Sequence, residues 1–190
     1  SLPMPPIKEQ QAIAEVLGAL DDKIAANAAL VRTTTDLSRA LTQRSLCDAD
    51  VGRLDGISTV TMGSSPVGTS YNETRDGIVM YQGTRDFGTR YPTPRVFTTS
   101  PVRLAHANDV LISVRAPVGA LNMAAEDTCI GRGLAAATSP WPNALYFLLE
   151  VQSDLFAPFN TDGTIFGSIN KDQLNQLPLK LPTDGVAALQ

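Results

Sequence analysis

The sequence predicts an α+β fold: a long N-terminal coiled-coil-type helix followed by a compact, β-rich domain with a few helices. Three observations carry this. Across residues 1–46, apolar side chains recur three and four apart, with Gly18 as the one glycine and no proline after Pro6. Beyond "CDADVG" the pattern changes to short apolar runs rich in Val, Ile, Thr and Tyr, broken by Gly, Pro, Ser and Thr. Apolar residues make up 43% of the 190 and charged residues 18%, the balance of a folded chain rather than a disordered one.

The helix comes first. Pro5 and Pro6 preset φ for a first helical turn, and Glu9 sets a carboxylate near the positive end of the dipole. Ile13, Leu17, Leu20, Ile24, Val31 and Leu41 form a heptad seam that Asn27, Thr34 and Ser38 interrupt with polar groups. Leu30 and Leu37 sit one residue off it, as an untwisted helix drifting around its stripe requires. Some 40 residues at ~1.5 Å each give a rod of roughly 60 Å. That is too long to bury its stripe on one small domain, so the seam predicts pairing with a second helix.

The strands follow, in the runs at 56–63, 77–83, 95–99, 109–124 and 129–138. "NALYFLLEVQSDLFAPF", residues 143–159, spaces Leu145, Leu148, Leu149, Leu155 and Phe156 as a helix packed on the sheet. "SINKDQLNQL", residues 168–177, opens on a Ser or Asn cap with acid in its first turn and predicts a short last helix. The expected organisation is residues 1–46 as the long helix and 47–182 as the β-rich domain. Residues 183–190 begin a second, truncated helical region.

Charge must be located before it is used. The chain carries −4 overall, yet residues 75–103 hold Arg75, Arg85, Arg90, Arg95 and Arg103 against Asp76 and Asp86 only. A local arginine patch on an acidic body suits phosphate and base contact, although a solvated loop surface has the same composition. Cys47 and Cys129 are far apart and form no CxxC, so two free thiols of a cytoplasmic protein are expected. His106 is the single histidine, which argues against a metal site or a Ser-His-Asp triad. No apolar run approaches the ~18 residues of a membrane span, and no signal segment precedes the fold. The chain starts at Ser1, which reads as a cut or processed end.

Enzyme signatures are missing. "GTIFGS" lacks the lysine of a phosphate-binding loop, no G-x-G-x-x-G occurs, and no Asn-Pro-Pro-aromatic tetrapeptide of adenine methyltransferases is found. Asp21-Asp22-Lys23 mimics part of a nuclease motif but lies on the helix surface. "GTRDFGTR" at 83–90 offers backbone amides to an anion, as many plain turns do. The residues describe a binding module.

"LPMPPIKEQQAIAEVLGALDDKIAAN" resembles the conserved helical region of type I restriction–modification specificity subunits, with Pro5, Pro6, Glu9, Gln10, Ile13, Ala14, Leu17, Leu20, Asp21 and Ile24 in place. Gly63 and Pro66, Gly77-Ile78, "NDVLISVRAPVG" at 108–119, "CIGRGLAA" at 129–136 and "GTIFGSINKDQL" at 163–174 are similar to the target-recognition domain of that family. The resemblance implies a non-catalytic subunit that reads one half of a split double-stranded DNA sequence. Its long helix would dock the methyltransferase (M) subunit. S-adenosylmethionine, ATP and magnesium are then expected only on the M and restriction (R) subunits, with no cofactor or metal here. One helix and one recognition domain resemble half of that plan, as a fragment or as a half-subunit that associates with itself through Ile13, Leu17, Leu20, Ile24, Asn27, Val31 and Leu41. A coiled-coil assembly adaptor with a protein-binding β domain fits charge and heptads alone.

Arginine forks suit guanine O6/N7, and Gln or Asn suits adenine N6/N7. The candidate DNA contacts are therefore the polar loop residues Ser64, Ser65, Tyr71, Gln82, Thr84, Arg85, Arg90, Arg95 and Arg115, with Asn160, Thr161 and Thr164 of "NTDGT". Arg132, inside "GRG", is expected to be structural.

Overall fold

The computed structural model describes residues 4–160 and 167–189. It divides into two compact units, Ser1–Leu41 and Thr42–Gln190. Thr161 and Thr164 lie outside the described residues.

The first unit is almost wholly helix. Helix α1 (Ile7–Ser45) starts directly after the proline pair and runs unbroken for 39 residues. The Pro6 carbonyl accepts from the amides of Glu9 and Gln10, and the Gln10 side chain donates to Pro5 O at 2.7 Å. Every apolar seam residue is exposed, from 48% at Ile13 to 66% at Ile24. The two hydroxyls on the seam are already satisfied within the helix. Thr34 Oγ1 donates to Leu30 O at 2.9 Å, and Ser38 Oγ donates to Thr34 O at 2.9 Å. Such groups can be covered by a partner helix without leaving a polar atom unpaired.

The second unit is layered. Strands β2 (Thr59–Met62), β7 (Val110–Ser113), β8 (Leu121–Met123) and β10 (Leu134–Thr138) form an antiparallel sheet in the order β2-β10-β7-β8. A second sheet holds β3 (Tyr71–Asn72), β4 (Ile78–Tyr81), β5 (Val96–Thr98), β6 (Leu104–Ala105) and β9 (Thr128–Ile130), in the order β3-β5-β4-β9-β6. Within it β4 and β9 run parallel, with Tyr81 beside Ile130.

The first sheet is covered on both faces, which is why its two central strands read as continuous apolar runs rather than alternations. Val110, Ile112, Ala135 and Ala137 face a core shared with Leu145, Leu149, Phe156 and Leu174 of the helical layer. Leu111, Leu134 and Ala136 face the second sheet, against Val79, Tyr81 and Ile130.

Helix α2 (Pro142–Val151) opens with proline at its first position and buries every residue from Ala144 to Leu149. The chain then tightens into a 3-10 segment, Ser153–Phe159, which carries Pro158. The predicted 143–159 helix is thus an α-helix followed by a 3-10 stretch, and Pro158, which has no amide to donate, lies in the latter.

Helix α3 (Lys171–Asn175) is short and reciprocally capped: Gln173 N donates to Asn170 Oδ1 at 2.9 Å, and Asn170 N donates to Gln173 Oε1 at 3.0 Å. Asn170→Ala is expected to lower stability by about 1 kcal/mol, measured as a shifted urea midpoint, with Asn170→Ser recovering most of it.

Strands β1 (Asp50–Arg53) and β11 (Pro178–Leu181) pair antiparallel with each other, from Asp50↔Leu181 to Arg53↔Pro178. Gln152 flanks β11: its Oε1 accepts from Lys180 N at 2.8 Å and its Nε2 donates to Lys180 O at 3.1 Å.

Candidate nucleic-acid interface

The parallel pair β4/β9 ends at Tyr81 and Ile130, and loops from both sheets converge on the connection that follows, residues 131–133. Gly131 N donates to Tyr81 O at 2.8 Å, and Gly133 N to Gln82 O at 3.1 Å. Val114 N donates to Gly133 O at 2.9 Å, Ser64 N to Ile130 O at 2.9 Å, and Gly63 N to Leu134 O at 2.9 Å. Arg132 N donates to Ser65 Oγ at 3.3 Å. Three chain segments, 63–65, 81–82 and 114, are thus tied by five main-chain bonds to this short loop and the residues that flank it, Ile130 and Leu134.

The glycines are what permit it. A Cβ at Gly133 would stand 2.3 Å from Gln82 O, and one at Gly131 would stand 3.0 Å from Gln82 Cα.

This hub brings Ser64, Ser65, Tyr71, Gln82 and Arg115 together, with Thr84 and Arg85 next along the chain in a 3-10 turn, Thr84–Asp86. Tyr71 OH donates to Pro66 O at 2.9 Å and accepts from Gln82 Nε2 at 2.9 Å. Gln82, Arg85, Arg115 and Arg132 are exposed. Arg85, Arg115 and Arg132 make no ion pair among the described residues. Sequence reasoning took Arg132 as structural. The structural residues of "GRG" are its two glycines, and the arginine between them presents its side chain outward. The signal was there: glycine on both sides of a cation marks a loop held by its backbone.

Three other candidates are engaged within the fold. Arg90 Nη2 donates to Asn143 Oδ1 at 2.7 Å, and its guanidinium lies 4.5 Å from the Tyr146 ring centroid and 4.8 Å from that of Phe147. Arg95 grips the mostly buried Asp86 carboxylate, with Nε to Oδ1 at 2.8 Å and Nη2 to Oδ2 at 3.3 Å, and reaches Glu73 at 3.4 Å. The hydrogen bond to Asp86 is the main reason its guanidinium is held above the ordinary arginine value. Asn160 accepts from Val118 N at 2.7 Å through Oδ1 and donates to Val118 O at 2.8 Å through Nδ2, which secures the turn that follows Arg115.

The loop at 83–95 is therefore braced, and Arg85 stands on it. Further braces are Asn122 Nδ2 to Gly88 O at 2.9 Å, Met123 N to Arg90 O at 2.7 Å and Thr93 N to Asp86 O at 2.8 Å. Beneath it Tyr81 stays protonated, its hydroxyl pushed up to about 12 by burial first and by the charges of Glu126 and Asp86 next. His106 lies elsewhere, 3.4 Å from Asp127 through Nδ1, and no group of His, Cys, Asp and Glu among the described residues is arranged to hold a metal.

No protein-family model matches the chain. A search of curated proteins finds the putative type I restriction enzyme MjaX specificity subunit of Methanocaldococcus jannaschii, 28% identical over 95% of this chain and 48% of that protein. Among solved structures, the HsdS subunit of Thermoanaerobacter tengcongensis superposes with a TM-score of 0.65 at 31% identity, covering 98% of this chain and 49% of that one. A chain solved in work on complex assembly and conformational transition of the type I R-M system gives a TM-score of 0.63 at 32% identity, over 98% and 52% of the two chains. The S subunit of M. genitalium, 14% identical with a TM-score of 0.52 over 70% of this chain, shares the fold. The chain spans about half the length of the first relatives it matches.

Proposed function

This chain is related to type I restriction–modification specificity subunits over about half of their length, and from that premise we propose that it reads one half of a split double-stranded DNA target for a methyltransferase and restriction complex. The observation that carries the reading is the hub. On a chain of net charge −4, it gathers exposed polar groups and arginines without acidic partners among the described residues.

Base-reading side chains need a fixed platform, and the main-chain bonds to residues 131–133 provide one. Gln82 and Arg85 are assigned to base edges. Ser64, Ser65, Thr84, Arg115 and Arg132 are assigned to phosphates and groove edges. Tyr71, Arg90, Arg95 and Asn160 contribute by holding those groups in place. Thr161 and Thr164 stay in the proposal as sequence neighbours of Asn160 in "NTDGT".

The exposed stripe of α1 is assigned to pairing with a second long helix, in another copy or another part of a longer subunit, and to docking the M subunit. Chemistry belongs to the partners in this reading. S-adenosylmethionine sits on M, while ATP and magnesium act with the M and R subunits. The protein then works in the cytoplasm, and no helix among the described residues is long and apolar enough to cross a membrane.

The test is selection from a randomised half-site library by the chain assembled with its M subunit. Enrichment of a defined half-site is the expected result, and its absence would sink the proposal. Affinity for the selected site should fall steeply with salt, a log–log slope near −0.9 for each phosphate neutralised. A slope near zero would remove the arginines from the interface.

A further inference from the structure

Gln82 stands one residue beyond β4, exposed, with its amide tied to Tyr71. The two bonds of that tie run in one direction. A backbone carbonyl only accepts, so the Tyr71 proton goes to Pro66 O, 2.9 Å away, and the phenolic oxygen is left as an acceptor. Gln82 must therefore turn its NH2 group, not its carbonyl, toward Tyr71, at 2.9 Å. The two ends of an amide are nearly the same shape, and here the network decides between them.

The stem is held as firmly as the head. A Cβ at Gly131 would meet Gln82 Cγ at 3.2 Å, so the glycine leaves the side chain the strip of surface it lies on. Tyr71 is pinned in turn by β3 pairing with Thr98, whose hydroxyl lies 2.8 Å from that of Ser70.

What the amide has left is Oε1 and the second Nε2 hydrogen, an acceptor and a donor side by side, with no other partner among the described residues. Adenine offers the complement in the major groove, an N6 donor beside the N7 acceptor. Guanine offers two acceptors, and its O6 would oppose Oε1. A glutamine able to turn over could give both hydrogens to guanine, whereas one tied to Tyr71 cannot.

We propose that Gln82 is the adenine-reading side chain of this domain, and that Tyr71 is the positioning residue that fixes it in the orientation that rejects guanine. The inference rests on the DNA-reading function proposed above.

The same half-site selection tests it, run on the full chain with its M subunit. The unaltered chain should show one position where adenine is enriched by tenfold or more over guanine. Gln82→Ala and Gln82→Met, the second keeping the stem, should make that position indifferent and leave the others as they were. Tyr71→Phe should keep adenine there but admit guanine, a change of base preference that a merely structural role would not produce.

Selection of no sequence at all by the unaltered chain would overturn both readings. A selected half-site that Gln82→Ala leaves unchanged at every position, or changes at a position not occupied by adenine, overturns the adenine assignment while DNA reading stands. Unaltered rejection of guanine by Tyr71→Phe overturns the orienting role.

Discussion

Replacing Gly63 by alanine is expected to cost the β-rich unit about 3 kcal/mol or more, at the upper end of what overpacking does. The added methyl would stand 2.1 Å from Gly131 O, 2.7 Å from Leu134 O and 2.8 Å from Ile130 O. All three are backbone atoms, so no side chain can swing aside. The oxygens of Leu134 and Ile130 already accept from Gly63 N and Ser64 N, and Gly131 N is bonded to Tyr81 O. To make room, the connection between β9 and β10 would have to leave β4, and with it the platform under Gln82 and Arg132. Urea unfolding measures the loss. Gly18→Ala is the control: it meets nothing within 4 Å on a helix surface and should stabilise by about 0.5–1 kcal/mol. A Gly63→Ala midpoint equal to that of the unaltered chain would refute the packing described here.

The second large effect separates two arginines that look alike in the sequence. Arg85→Ala should leave the melting temperature unchanged and weaken binding to the selected half-site by about 1–3 kcal/mol if the side chain reads a base. A contact to phosphate instead would weaken all sequences alike and reduce the salt slope by about one. Arg90→Ala should do the reverse at first sight. It removes two cation–π contacts and the bond to Asn143, so stability falls by about 1–3 kcal/mol, and binding falls only as the loop loosens. Thermal melts alongside titrations at two salt concentrations distinguish these outcomes. Unchanged affinity in Arg85→Ala would take that loop out of the interface.

Why the pair could not be told apart from sequence is a matter of distance along the chain. The residues that engage Arg90 lie on α2, those that engage Arg95 include Glu73, and Asn160 is spent on Val118. None of these partnerships follows a local period. What does follow one was legible. The proline pair and the heptad seam placed α1, and the uninterrupted apolar runs placed β7 and β10. The capped "SINKDQL" placed α3. The two- to four-residue strands β1, β3, β6 and β11 were missed, since pairing rather than propensity defines them. Pro178 opens β11, so its missing donor falls at the first residue of the strand, where it is tolerated. The polar residues of the site could be named one by one from their turns. Their convergence could not, because the parallel pairing that sets Tyr81 beside Ile130 is written nowhere in either segment.

The β1–β11 pair has a mechanical consequence. The chain arrives at Asp50 and departs at Leu181, and these two residues are partners at the same end of the ladder. Tension that draws the two strands apart would therefore fall on one rung at a time, starting from that end, once Val186 is drawn from its seat against Ala144 and Leu148. Tension along the strands would instead load all four pairings together. A pull at the two ends of this domain thus acts on a zip rather than on a weld. Opening the zip past the first rungs also draws Leu179 out of the core it shares with Leu54, Leu145 and Leu149.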